Sequence, residues 1–494
     1  MLTSRLAVVV TLMVAAAPPG LFAQGVDTTA WLQDFAQLKR EMAAHYANLD
    51  WAVTRRGMDL KQLAAATAVR LRTAATDAVA RRAIESFLDA FGDGHLEVQW
   101  PEAAGSAIPP TRPPAPTGAP DRPECRALGY HAASLSKGIG FALLSHFRAV
   151  TTPDSSLFPI GVLRVHGGEP VGVLRIAVFS SQPFPELCEQ AATAMGLAAN
   201  APCDSGCRER LEHDARNLLT AALERQVTAL ERQKVRALVV DLTHNGGGSE
   251  WVEVAARPLT ARLLHDSPMG FVRHSHWVSQ LAARLALVEA DTAAATGGTR
   301  ELLRHAADVL RRQLAEARRP CPQDGRWEDE RPTCTLLVTE PPLYPSGILP
   351  YARPGTQPAG VSRFYLFDPL RYAYHEGVYR GPLIVVVDRE TASAAEEFAA
   401  LLADNRAAAI IGEPTYGAGC GYTNGGIPTT LEHSRADVLM PDCVRLRADG
   451  TNEVEGITPD VLIPWRGADS PLQKANRFEA ALPAALRAAA GRRR

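Results

Sequence analysis

Five short apolar runs constrain this chain more than any other feature. They are IGVLRV from Ile160, VGVLRIAVF from Val171, ALVVDL from Ala237, LIVVVD from Leu383 and AAIIG from Ala408. Each is rich in β-branched residues and has the length of a strand rather than a helix. Helical stretches separate most of them: ERLEHDARNLLTAALERQVTALERQ stands between the second and third, and SAAEEFAALLADN between the fourth and fifth. A strand that is apolar on both faces must be covered on both, and a helix between two such strands lets them run parallel. The chain therefore reads as α/β with an at least partly parallel sheet. Its 494 residues, 46% hydrophobic and 21% charged, suffice to bury such a core.

Upstream, residues 27–98 follow a different period. Trp31, Phe35, Leu38, Met42 and Tyr46 recur at helical spacing and LKQLAAATAVRLRTAA follows, so three or four short helices are expected as a small helical domain. Residues 99–130 break that pattern with eight prolines between Pro101 and Pro123, and they read as a linker. The core is expected over 131–470, with an insertion at about 256–350 whose middle, TRELLRHAADVLRRQLAEARR, reads as a solvated helix. Residues 471–494 are left as a C-terminal tail.

Residues 1–23 bear on the compartment. Arg5, the apolar run LAVVVTLMVAAA, and LFAQ after Pro18, Pro19 and Gly20 follow the order of a secretory signal peptide cleaved after Ala23. The apolar run is shorter than the roughly 20 residues that span a bilayer, so a periplasmic or secreted protein with no membrane anchor after cleavage is expected. Eight cysteines suit an oxidising compartment, and disulfides are favoured over a metal site because the Cys203/Cys207 pair has no second pair nearby. Cys321 with Cys334 and Cys420 with Cys443 are the simplest pairings, leaving Cys125, Cys188, Cys203 and Cys207 among themselves. Fifty-two basic against 54 acidic residues give a formal charge of −2, without the basic footprint of a nucleic-acid binder. Only five of the 52 are lysines, so a catalytic lysine has few candidates.

Two segments could carry chemistry. In LIVVVDRETASAAEEFAALLADN a buried strand ends at Asp388 and a helix begins near Ser393, which puts a hydroxyl beside the free N–H groups of a helix N-terminus. Ser393 and Glu396 also form the S-x-x-E of a capping box, and on spacing alone the cap is the simpler reading. In ALVVDLTHNGGGSEW a strand runs into Asn245 and three glycines, which let the backbone approach a ligand and could supply a second oxyanion donor. This loop lacks the glycine patterns of phosphate-binding loops.

In this order the two segments resemble the tail-specific, or C-terminal-processing, serine peptidase family, which also includes the tricorn protease core and the interphotoreceptor retinoid-binding protein repeats. DLTHNGGG is similar to that family's D-L-R-x-N-x-G-G loop, and TASAAEEFAALLADN followed by IIGEPTYGAG to its nucleophile segment. EGITPDVLI resembles its closing strand and FGDGHLEV its D-x-H-[TS] element. The likeness extends from about residue 30 to 465, apart from the Pro-rich linker and the insertion. It implies a crotonase-like ββα-type catalytic core behind a small helical domain, and a serine peptidase acting on peptide or protein substrates with no cofactor and no metal. It makes Ser393 the nucleophile and the N–H groups of Ala394 and Gly247 the oxyanion hole.

The resemblance also marks two departures. The processing branch takes its general base from a lysine in T-[FY]-G-K-G, whereas the segment here is TYGAG with Ala418 at that position, and the only lysine after Ser393 is Lys474. The tricorn-like branch uses a histidine from the segment before the core, which points to His95, and a glutamate near the closing strand, which points to Glu453 or Glu455, Glu453 having the better spacing from Pro459. The serine usually beside that histidine is Gly94 here. His244 and His375 are fallback bases, and His274 with His276 do not amount to a metal site. KGIGFALL from Lys137 lies too close to VGVLRIAVF to belong to a PDZ domain, so substrate recognition by one is not expected. Ala418 and Gly94 motivate an alternative, an inactive ligand-binding module on the same fold; ester hydrolysis at the same serine is a third reading.

Overall fold

A computed structural model describes residues 26–492 apart from 102–121, 165–167, 169, 199–200, 324, 329–333, 354–359 and 422–426. The expected signal peptide, residues 1–23, and most of the Pro-rich linker lie outside the described residues.

The five apolar runs become five of seven strands in one sheet. Its spatial order is Val461–Leu462, Ala409–Gly412, Leu383–Val387, Ala237–Asp241, Pro170–Arg175, Ile160–Arg164 and Phe147–Val150. The first five run parallel, and Ile160–Arg164 pairs antiparallel with both its neighbours. Side-chain alternation sends Leu238, Val240, Leu383, Val385 and Val387 into one apolar layer and Ala237, Val239, Ile384 and Val386 into the other. Every residue of these two central strands is buried. The fold class is α/β with a mixed sheet.

Helices Pro185–Ala194, Ser205–Arg232 and Ala394–Asp404 cover the first face. The opposite face is covered by Pro471–Gly491, the segment set apart as a tail: Phe478, Leu482, Ala485 and Ala489 are buried against the sheet. Phe478 alone contributes about 2–3 kcal/mol of burial.

The N-terminal region consists of helices Thr28–His45, Leu49–Thr54, Leu60–Arg72 and Asp77–Asp89. Trp31, Phe35, Leu38, Met42 and Tyr46 are buried among them, together with Leu431, Ala436, Val438 and Met440 from far along the chain. The insertion contains two helices, Ser275–Ala294 and Gly297–Ala317, beside an antiparallel sheet of order Cys443–Arg445, Met269–Val272, Leu337–Leu343. Its second helix is not solvated all round: Leu303, Ala307, Leu310 and Leu314 form a buried stripe.

All eight cysteines are paired, as Cys125–Cys188, Cys203–Cys207, Cys321–Cys334 and Cys420–Cys443. Among the described residues no helix is long and apolar enough to cross a membrane, and no cluster of three or more His, Cys, Asp or Glu side chains could hold a metal ion.

Candidate active site

The strand Leu383–Val387 ends at Asp388, whose carboxylate accepts the backbone N–H groups of His244 and Glu390 and the Thr391 hydroxyl. That knot makes the chain turn sharply into the helix that begins at Ala394. Ser393 sits on the turn with φ +55°, a left-handed value that a non-glycine residue holds only where its surroundings impose it. The glycine loop does part of the imposing. The Ala392 N–H donates to the Asn245 carbonyl at 3.0 Å, and a Cβ on Gly247 would stand 2.8 Å from Ser393 Cβ and 2.9 Å from the Ala394 nitrogen. Gly247 itself has φ +108°, so both its conformation and its lack of a side chain are required.

Ser393 and Glu396 do form the capping box, the Ser393 N–H donating to Glu396 Oε2 at 2.9 Å. Glu396 is fully buried, and it accepts three further bonds: from the Ala418 N–H on Oε2, and from the Gly417 N–H and the Thr415 hydroxyl on Oε1. The helix cap and the candidate nucleophile therefore share one turn. A single carboxylate ties the serine turn to the loop that carries Ala418.

His95 reaches the same loop from the N-terminal side. The Gly94 N–H approaches the Gly417 carbonyl at 3.5 Å, a Cβ on Gly94 would stand 3.1 Å from Ala418 Cβ, and one on Gly421 would stand 2.7 Å from His95 Nε2. The His95 turn thus lies on position 418, the lysine position of the processing branch. Burial holds the imidazole below its usual value and Arg445 acts in the same direction, against Asp93, Glu396 and the Ala418 carbonyl. Its Nδ1 is buried without a hydrogen-bond partner among the described residues, and none joins the ring to Ser393. Asp93 Oδ1 accepts the His95 backbone N–H, while Asp93 Oδ2 accepts the Tyr46 hydroxyl and the Asn48 amide. The Asn48 amide oxygen in turn accepts from Asn452, so the histidine turn is anchored both to the N-terminal helices and to the residue before Glu453.

The two glutamates separate cleanly. Glu453 is buried and accepts from Arg445 Nε at 2.7 Å; Glu455 is exposed and accepts from Trp51 Nε1. Burial raises the Glu453 carboxyl above its usual value and Arg445 opposes the rise. Among the described residues no hydrogen bond or ion pair joins Glu453 to His95. The Gly247 N–H donates to Asn245 Oδ1 at 2.9 Å, whereas the Ala394 N–H carries no bond among the described residues.

The remaining histidines are placed elsewhere. His244, at φ +57°, directs its ring to Glu390 and Asp388, and His375 pairs with Glu224 on the outer surface. His274 and His276 contact each other through Nδ1, with His45 stacked edge-on against His274 and Asp442 on His276 Nε2.

Sequence reasoning missed Arg445. Its guanidinium reaches Glu453, Glu397, the Ser393 carbonyl and the Gly419 carbonyl. Nothing local in CVRLR announces it. The sequence marks Glu396 as half of a capping box, but its hold on the Ala418 loop lies beyond local spacing.

The model of the family described as Peptidase family S41 matches residues 213–463, just over half the chain, a span that holds Gly247, Ser393, Ala394 and Glu453 but not His95. The carboxyl-terminal-processing peptidase 2, chloroplastic, of Arabidopsis thaliana is 36% identical over 85 residues, which is 17% of this chain and only 15% of that protein. The crystal structure of mature CPAF superposes with a TM-score of 0.55 at 14% identity, covering 92% of this chain and 96% of that one, a likeness of fold.

Proposed function

The chain belongs to peptidase family S41, and from that premise we propose that it is an exported serine peptidase that cleaves peptide or protein substrates through an acyl-enzyme on Ser393. The observation that carries the proposal is the strained Ser393 turn, pressed on Gly247 at a helix N-terminus and tied through Glu396 to the loop on which His95 lies. Strain of this kind, held in place by its surroundings, exposes a nucleophile.

In the reaction the Ser393 Oγ bonds to the scissile carbonyl carbon while His95 accepts the hydroxyl proton. Collapse of the tetrahedral intermediate breaks the C–N bond as His95 returns that proton to the leaving amine. Water then repeats the sequence on the ester and releases the new carboxylic acid. Burial keeps the imidazole neutral near pH 7, the form a base requires. The Ala394 N–H is the principal oxyanion donor, and the Gly247 N–H joins it as a three-centre bond shared with Asn245 Oδ1. Glu453 acts through Arg445 rather than on the imidazole. The signal-like first 23 residues and four disulfides favour the periplasm or the exterior as its place of work.

The test is incubation of the mature, disulfide-intact protein with an unfolded protein, beside S393A and H95A, with fragments read by mass spectrometry. Fragments from the wild type and none from S393A are expected. Fragments from S393A at the wild-type rate would refute the assignment, and none from any of the three would favour the ligand-binding module.

A further inference from the structure

Arg445 is a nearly buried cation that bonds two backbone carbonyls of the candidate site. Its side chain, 11% exposed, leaves the strand Cys443–Arg445; Nε donates to Glu453 at 2.7 Å and Nη1 to Glu397 at 2.6 Å. Nη2 donates to two backbone carbonyls, Gly419 at 2.8 Å and Ser393 at 3.3 Å. Glu453 is the charge partner, Glu397 accepts a further hydrogen bond, and the Nη2 donors are spent on the backbone of Ser393 and of the loop beside His95. The Cys420–Cys443 disulfide joins the same loop to the same strand, so neither end of the Arg445 bridge can drift.

The Ser393 carbonyl and the Ala394 N–H are opposite ends of one peptide group. A cation at the oxygen draws electron density through the amide and makes the N–H a stronger donor, and a fixed oxygen fixes the direction of that N–H. We propose that Arg445 is a positioning residue of the oxyanion hole, which orients and polarises the Ser393–Ala394 peptide so that the Ala394 N–H meets the developing oxyanion. The proposal rests on the reading of Ser393 as nucleophile. It explains why a glutamate near the closing strand serves the site without touching the histidine: Glu453 and Glu397 hold the guanidinium in the plane from which Nη2 reaches the Ser393 carbonyl. Arg445 touches no substrate atom, and its effect belongs to the transition state, where the charge on oxygen appears.

Lysine is the informative replacement, because R445K keeps the buried charge opposite Glu397 and Glu453 but cannot span both carboxylates and both carbonyls. R445M, which leaves two carboxylates unpaired, serves as a second variant where it folds. Steady-state cleavage of a peptide amide and inhibition by the corresponding peptide aldehyde, whose adduct carries the oxyanion, are measured for wild type, R445K, R445M and S393A. For R445K, kcat falls about 100-fold with KM unchanged, and aldehyde affinity falls by a similar factor, as for loss of an oxyanion donor. Wild-type kcat in R445K, or a fall in kcat with aldehyde affinity intact, overturns the proposal. S393A separates the two ideas: turnover in S393A refutes the nucleophile, whereas an inactive S393A beside a fully active R445K refutes only the role of Arg445.

Discussion

Ser393 and Ala418 donate their backbone N–H groups to the same oxygen of Glu396, each at 2.9 Å. Ser393 and the loop under His95 are thereby held at a spacing set by one buried carboxyl group.

That carboxylate cannot be replaced by its amide without loss. In E396Q one oxygen becomes an NH2 facing backbone donors, so at least one buried N–H or the Thr415 hydroxyl goes unpaired. Stability falls by about 2–3 kcal/mol, and kcat falls about 100-fold because the Ser393 turn relaxes. Urea denaturation with steady-state kinetics checks this; unchanged kcat would show that the tie is dispensable.

The pH dependence of turnover reports on His95. The base must be neutral, and its folded value lies below the ordinary 6.5, so the acidic limb of kcat/KM falls below pH 6.5. In H95A the cleavage rate falls about 1000-fold or more. A limb above 6.5, or one that survives in H95A, would assign the base elsewhere, with His244 next in line.

Stability has its own pH signature. Burial raises Glu253 to about 8, Glu397 to about 8 and Asp266 to about 7, although Arg257 and Arg445 oppose the rise. The folded protein then holds protons that the unfolded chain has released, so stability falls as pH rises from about 4.5 to about 8 and levels off above that range. His274, lowered to about 4 first by burial and then by His45 and His276, pulls the opposite way below pH 6.5. The fall is therefore clearest between pH 6.5 and 8. E253Q removes one such proton and flattens the slope there by about 1.4 kcal/mol per pH unit. Equal slopes in guanidinium titrations of both proteins would contradict it.

Gly94 has no room for a side chain where it stands. A Cβ there would lie 2.1 Å from Tyr416 Cε1, yet that tyrosine is 60% exposed and can swing outward. G94A is expected to cost about 1–2 kcal/mol, and adding Y416A to recover most of it, because the clash is pairwise. Thermal unfolding of the single and double variants measures the coupling; additivity would place the strain in the backbone instead.

The parallel sheet was legible because strands buried on both faces write themselves as unbroken apolar runs, as LIVVVD and ALVVDL do. The serine turn and glycine loop were legible as motifs, since strain and close approach demand particular residues. Three things were not. The C-terminal helix is alanine-rich, and its buried stripe from Phe478 to Ala489 is too weak to distinguish a covering layer from a tail. The strand Met269–Val272 pairs with Cys443–Arg445, more than 170 positions away, and no local pattern encodes that. Arg445 and the Gly247–Asn245 bond depend on side-chain placement after folding, so sequence pointed to Glu453 but not to the arginine that pairs with it.

A covalent intermediate on Ser393 can be trapped with a small activated ester. Wild type and S393A are each mixed with 4-nitrophenyl acetate, quenched in acid within a turnover and digested for mass spectrometry. An acetyl group is expected on the wild-type peptide that contains Ser393 and none on the corresponding S393A peptide; a wild-type enzyme that releases nitrophenol with no acetylated Ser393, or an S393A protein acetylated equally fast, would contradict a covalent Ser393 intermediate.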